Sequence, residues 1–335
     1  MQAILFDLGG THLRTGLLTT NDEIHVLQKE NTGHSSDEKD SSHVCDRIED
    51  RIVRHIQKNA TALLPEAPIV LAFPGPVAAG NRILQAPTIN GDGAVPDLAG
   101  RLRARTGREV HILNDLSAAC WYLSTRTHAQ RFMVVTVSSG VGGKIFDRAH
   151  PAGVLDDPFY AGEIGHLVVD DADRAPLCDC GQRGHLGGIA SGRGIEREAA
   201  RRAIADPGAF GKSLCVTRLG ATPENLTNEE HMVPAARAGD AWALDVVRDC
   251  SRPLARILAT IMLAVGLERI IIIGGFALAL SDTYLSLLRE AFARVLRYDV
   301  LPDGIENRLE LGGANEEACL LGAGEFFKRR LRNPR

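Results

Sequence analysis

Aromatic residues are scarce in this chain, 5% of 335, and neither sign of charge dominates: 38 basic against 42 acidic residues leave a net charge of −4. That balance offers little to a nucleic-acid backbone or a membrane surface, so neither partner is expected. A long apolar run is also missing. The most membrane-like stretch, Ile257 to Leu280, is split by Glu268-Arg269 and Gly274-Gly275 and reads as a buried helix followed by a buried strand. No basic segment opens the amino terminus, and Asp7 interrupts the first apolar run, so a signal peptide is not expected. The seven cysteines are odd in number, and only Cys178 and Cys180 lie close together. This excludes a disulfide framework and fits a reducing, cytoplasmic compartment with at most a local metal site. There is no solenoid repeat, and the first glycine turn, at Asp7–Thr11, is neither a Walker loop, lacking Gly-Lys-Ser/Thr, nor a dinucleotide fingerprint, lacking the third spaced glycine.

What the chain does have is ordinary hydrophobic content (44%), length for about two domains, and 34 glycines. Apolar β-type runs occur at 3–8, 13–18, 23–28, 69–73, 109–113, 132–137 and 270–273. Helical patterns follow at 46–63, 116–123, 189–205, 242–265, 284–298 and 316–331. This alternation predicts an α/β protein with helix-covered sheets. Residues 31–42 and 217–230 are expected to be loops.

Three glycine-rich turns stand at strand ends: Asp7-Leu8-Gly9-Gly10-Thr11, Ser138–Gly143 and Ile273-Gly274-Gly275. Glycine lets backbone N–H groups approach phosphate oxygens, and Asp7 at a strand end suits a hydrated magnesium ion. The bland alternative for the first is a β-hairpin tip. Asn114-Asp115 sits where a strand runs into a helix. Asp115 there is either an N-cap or a general base for a hydroxyl proton. Gly162-Glu163-Ile164-Gly165-His166 precedes Cys178-Asp179-Cys180-Gly181-Gln182-Arg183-Gly184-His185. Two thiolates and two imidazoles, from His166, Cys178, Cys180 and His185, are a four-ligand set suited to tetrahedral zinc, the bland alternative being two free thiols in a loop.

In this order, with Pro74-Gly75-Pro76-Val77 and Ala190-Ser191-Gly192 between and after them, the motifs resemble the ROK family of sugar kinases over nearly the whole chain. The resemblance implies an actin-like, ribonuclease-H-like α/β fold with two lobes around a nucleotide and sugar cleft. Residues 1–113 and 316–335 would form one lobe, and 114–315 the other, with the zinc loop. It implies ATP held by Asp7, Gly9, Gly10, Thr11, Ser139, Gly140, Gly142, Gly274 and Gly275, with magnesium reached from Asp7 through water. Asp115 matches the family's catalytic base, and Gly75, Thr88, Asn114, Glu163 and His166 match its substrate contacts. Zinc would be structural, and a homodimer or homotetramer is implied.

The departures are chemical. His185 replaces the family's third zinc cysteine, an acceptable ligand, and His12 replaces an asparagine. Gly187 stands where the family has a glutamate that contacts hydroxyls near the anomeric end. One end of the substrate pocket is thereby larger and less acidic than in a glucokinase. The expected reaction is transfer of the γ-phosphate of ATP to a primary hydroxyl of a hexose-like substrate. A modified amino sugar or a sugar-like cyclitol is the alternative acceptor. A sugar-binding regulator without catalysis is the remote reading, disfavoured because no helix-turn-helix segment precedes Asp7.

Overall fold

The computed structural model describes residues 2–9, 12–31, 41–59, 61, 63–78, 81–85, 97–298, 300–313 and 316–332, apart from the side chains of 41–45. Gly10, Thr11, Thr88 and most of the expected 31–42 loop lie outside these residues. The chain divides into two compact units. One comprises Met1–His128, Phe146–Ala161 and Asn315–Arg335, and the other Ala129–Ile145 and Gly162–Ala314.

The first unit is built on a sheet of five strands in the order β3-β2-β1-β4-β7: Ala3–Leu8 (β1), His12–Leu18 (β2), Ile24–Asn31 (β3), Ile69–Phe73 (β4) and Val110–Asn114 (β7). β1, β2 and β3 are antiparallel neighbours, whereas β4 and β7 join parallel to β1. All residues of β1 are buried because both faces are covered. Ile4, Phe6 and Leu8 point to a core shared with the helices Ser41–Lys58 and Leu98–Thr106. On the other face, Leu5 meets Gly324 of the helix Ala318–Phe326. A two-residue hairpin, Val77–Ala78 (β5) and Arg82–Ile83 (β6), is pinned to β7 by Asn81. Its amide donates to the Val110 carbonyl (3.0 Å) and accepts from the Ile112 N–H (2.8 Å).

The boundary expected between 113 and 114 is displaced. The helix Asp115–Leu123 belongs to the first unit because it crosses Ala318–Phe326 at backbone contact. A Cβ on Gly322 would lie 1.8 Å from the Ala118 carbonyl oxygen, so only glycine permits that crossing.

The second unit holds a four-stranded sheet, β11-β10-β8-β9, formed by Arg131–Val137 (β8), Val141–Asp147 (β9), Arg269–Ile273 (β10) and Leu309–Leu311 (β11). β8, β10 and β11 are parallel. The order repeats that of the first unit without its outermost strand. The helix Ala241–Val265 supplies much of the core; Asp240 caps its start and Gly266, at φ 67°, ends it. The expected helix 189–205 is two helices, Leu186–Ala190 and Gly192–Ala205. They break at Ser191, whose hydroxyl caps the second by accepting from Gly194 (3.0 Å). Within the expected 217–230 loop, a π-type turn begins at Asn228.

Candidate active site and metal centre

In each sheet the parallel strands end along one edge, the edge where α/β proteins take their ligands. In the first unit the register aligns Asp7 with Ala72 and Phe73 with Asn114. Asp7, Gly75 and Asn114-Asp115 therefore share one edge. Gly9 closes the β1–β2 hairpin, its N–H donating to the His12 carbonyl (2.8 Å), so the hairpin reading and the phosphate-turn reading describe the same residue.

Asp7 is buried, and its Oδ2 accepts from Arg14 Nη1 at 3.1 Å. Burial drives its pKa up to about 6, against the opposing pull of the Arg14 charge. The same guanidinium reaches Glu316 at 3.6 Å, and Glu316 also pairs with Lys29. Arg14 was not singled out from the sequence, although its place one turn beyond the glycines was a signal.

Asn114, not Asp115, caps the helix. Its Oδ1 accepts from Leu116 (3.0 Å) and Ser117 (3.3 Å), while its Nδ2 donates to the Gly75 carbonyl at 2.9 Å. Asp115, in the first turn and half-buried, accepts from the Leu116 N–H through Oδ1 (2.8 Å). Gly75 has φ 137°, in the region that favours glycine. The amide of Asn114 thus holds the β4 turn and the helix carrying Asp115 together.

In the second unit, the turn Ser138–Gly140 leaves β8 with Ser139 and Gly140 exposed. The Ser138 carbonyl accepts from Gly192 at 2.7 Å. Gly274 follows β10 at φ 102°, and a Cβ there would strike Val137 N at 2.6 Å and Thr136 Oγ1 at 2.7 Å. Gly312-Gly313, after β11, ends at the same edge; this glycine pair was missed because β11 has only three residues. Gly142 lies in β9 itself.

Glu163 and His166 ride on a loop pressed onto β9. Gly143 donates to the Gly162 carbonyl (2.9 Å). A Cβ on Gly162 would lie 1.7 Å from Gly143 O, and one on Gly165 2.1 Å from Val141 O. The half-buried Glu163 carboxylate takes no hydrogen bond among the described residues, leaving it available to a ligand.

The ligand atoms of His166, Cys178, Cys180 and His185 all lie within 4.8 Å of one another. Cys180 Sγ is 3.2 Å from His185 Nδ1, and the two imidazoles stand edge to face. Gly181 (φ 84°) and Gly184 (φ 71°) turn the chain around the cluster, and Gly184 packs against the Asp170 carbonyl too closely for any side chain. Burial raises the Cys178 thiol above its ordinary value. A two-thiolate, two-imidazole set closing on one point fits zinc. Gly187 adjoins this loop: a side chain there would start 3.1 Å from Gly165 O and 3.8 Å from Cys178 Sγ.

The ROK family pattern matches residues 3–330. The chain belongs to the ROK family. A C(7)-cyclitol 7-kinase of Streptomyces hygroscopicus subsp. jinggangensis is 37% identical, over 99% of this chain and 95% of that protein. The Thermotoga maritima glucokinase is 29% identical over 99% and 98%. Among solved structures, a ROK family glucokinase from Streptomyces griseus, in complex with glucose and AMPPNP, superposes with a TM-score of 0.73 at 23% identity, covering 96% of this chain and 98% of that one. This ROK protein has the actin-like ATPase fold and is an enzyme of the carbohydrate-kinase class. Among the described residues no helix is long and apolar enough to cross a membrane.

Proposed function

We propose that this enzyme transfers the γ-phosphate of ATP to the primary hydroxyl of a C7 cyclitol or a closely related sugar, with Asp115 as general base. The observation that carries the reading is the division of labour at the helix start. Because Asn114 supplies the cap, Asp115 does not have to. Asp115 accepts the acceptor's hydroxyl proton as that oxygen bonds to the γ-phosphorus and the bond to the β-phosphate oxygen breaks, releasing ADP. Asn114 fixes Gly75, and both, with Thr88, are assigned to the acceptor. Glu163 and His166 are assigned to acceptor hydroxyls in the second unit.

The backbone of Gly9, Gly10 and Thr11 and of Ser139, Gly140, Gly142, Gly274 and Gly275 is assigned to ATP. Magnesium, when bound, supplies charge neutralisation at the phosphates, with Asp7 orienting its water shell. His166, Cys178, Cys180 and His185 would hold a structural zinc that keeps the Glu163 loop in shape.

The cyclitol is favoured over glucose by the 37% identity to a C(7)-cyclitol 7-kinase over nearly the full length, and by Gly187, which lacks the carboxylate that the family resemblance assigns to hydroxyls near the anomeric end. A glucokinase is the second reading, supported by the Thermotoga relative. The odd number and wide scatter of the cysteines support a reducing cytoplasm, and the family resemblance supports a homodimer or homotetramer. A coupled ATP assay over C7 cyclitols, glucose, N-acetylmannosamine and 3-amino-3-deoxyglucose tests the reading. Fastest turnover per acceptor KM on a C7 cyclitol is expected, and preference for glucose overturns the choice.

A further inference from the structure

The segment 146–161 leaves β9 and returns along the helix that carries Asp115. At that helix's carboxyl end, Arg148 Nη2 donates to the carbonyls of Ser124 (2.7 Å) and Thr127 (2.6 Å). Midway, Gly153 at φ 74° sits so close to Trp121 that a Cβ would lie 2.7 Å from the indole. Trp121 in turn meets Phe146 edge to face at 5.1 Å. At the amino end, Ser117 Oγ donates to Asp156 Oδ2 at 2.5 Å. The segment is therefore tied down at both ends of one helix, and its last tie lies in the first turn, two residues from Asp115.

Asp156 is half-buried, and its second carboxylate oxygen takes no hydrogen bond among the described residues. A tie to one serine needs only a single neutral acceptor. Next come Phe159 and Tyr160, 47% and 66% exposed, their rings packed on each other at 5.4 Å and 81°. Two adjacent exposed rings offer apolar faces to a bound molecule. A carboxylate oxygen followed three and four residues later by two exposed rings offers the chemistry that suits a polyol, which has hydroxyl donors at its rim and C–H groups on its ring face.

We propose that residues 153–161 are an acceptor-reading strap: Asp156 accepts a hydrogen bond from a hydroxyl of the cyclitol or sugar, and Phe159 and Tyr160 cover its apolar face. Asp156 is a specificity-determining residue and leaves the proton transfer to Asp115, the base of the proposed function on which this inference rests. Ser117 acts through Asp156 and is a positioning residue.

The test uses the full-length enzyme with a C7 cyclitol and with glucose. Asp156→Asn keeps the Ser117 bond through its amide oxygen, so its melting temperature should match wild type. Its acceptor KM should rise at least about tenfold, with ATP KM and kcat within about threefold, as expected for losing a charged hydrogen-bond acceptor. The pair Phe159→Ala and Tyr160→Ala should raise acceptor KM without moving ATP KM. Ser117→Ala, which retains the carboxylate but frees it, should give a smaller rise, again in acceptor KM alone. Should Asp156→Asn and the aromatic variants melt normally and keep acceptor KM within about twofold, the strap is structural and the proposal fails. An active Asp115→Asn enzyme beside a KM-defective Asp156→Asn enzyme would overturn the base and leave the strap standing.

Discussion

The side-chain amide of Asn114 donates to the carbonyl of Gly75 across 2.9 Å while its oxygen caps the helix that begins at Asp115. One residue thereby links the end of β4, the end of β7 and the first turn of that helix. These functions separate by substitution. Asn114→Ala should lose the cap, costing about 0.5–2 kcal/mol in denaturant unfolding, and should raise acceptor KM. Asn114→Asp keeps an oxygen for the cap but places a carboxylate against the Gly75 carbonyl. It should stay closer to wild type in stability while still raising acceptor KM.

Gly165 and Gly162 hold the Glu163 loop against β9 at distances no Cβ tolerates. Gly165→Ala should destabilise the protein by about 1–3 kcal/mol, the usual range for forced overpacking, and weaken acceptor binding measured by calorimetry. Gly211→Ala, with open space at its Cβ position, is the control and should be near neutral.

Asp7 carries a pH signature. Burial holds its pKa at about 6 in the folded protein, against an ordinary 3.8, so between those values the folded state binds a proton that the unfolded chain has lost. Stability from this group is thus present at low pH and falls as pH rises from about 4 to 6, by on the order of 3 kcal/mol. In Asp7→Asn this contribution vanishes. Its stability relative to wild type, followed by denaturant melts at successive pH values, should rise across that window and level off above it.

Zinc should be found at one ion per chain by metal analysis, and chelation should lower the melting temperature and raise acceptor KM with ATP KM unchanged. Cys178→Ser should reproduce both effects. Unaltered acceptor binding in a zinc-free protein would reject the structural role given to the ion.

Much of the fold was legible because buried strands have a plain sequence signature. β1, β4, β8 and β10 are apolar runs that end within a residue of the expected positions. The convergence of His166, Cys178, Cys180 and His185 was legible too, since four potential metal ligands in two short motifs have few other uses. β9 escaped because Val141-Gly142-Gly143 reads as a turn, and β11 because three residues carry no period. Asp115 was read as cap or base, yet the cap is the residue before it. An amide and a carboxylate are equally good caps, so only geometry separates Asn114 from Asp115. The Ser117–Asp156 tie joins residues 39 apart in the chain, and no local pattern announces it.

The most direct test is phosphoryl transfer from ATP to a C7 cyclitol by wild type and Asp115→Asn, with the site of phosphorylation located by phosphorus NMR. The account predicts a phosphate ester on the primary hydroxyl with wild type. It also predicts a loss in kcat of at least about a hundredfold in Asp115→Asn, the scale of a removed general base, with acceptor binding retained. Equal rates for the two proteins, or an ester on a ring hydroxyl, would contradict it.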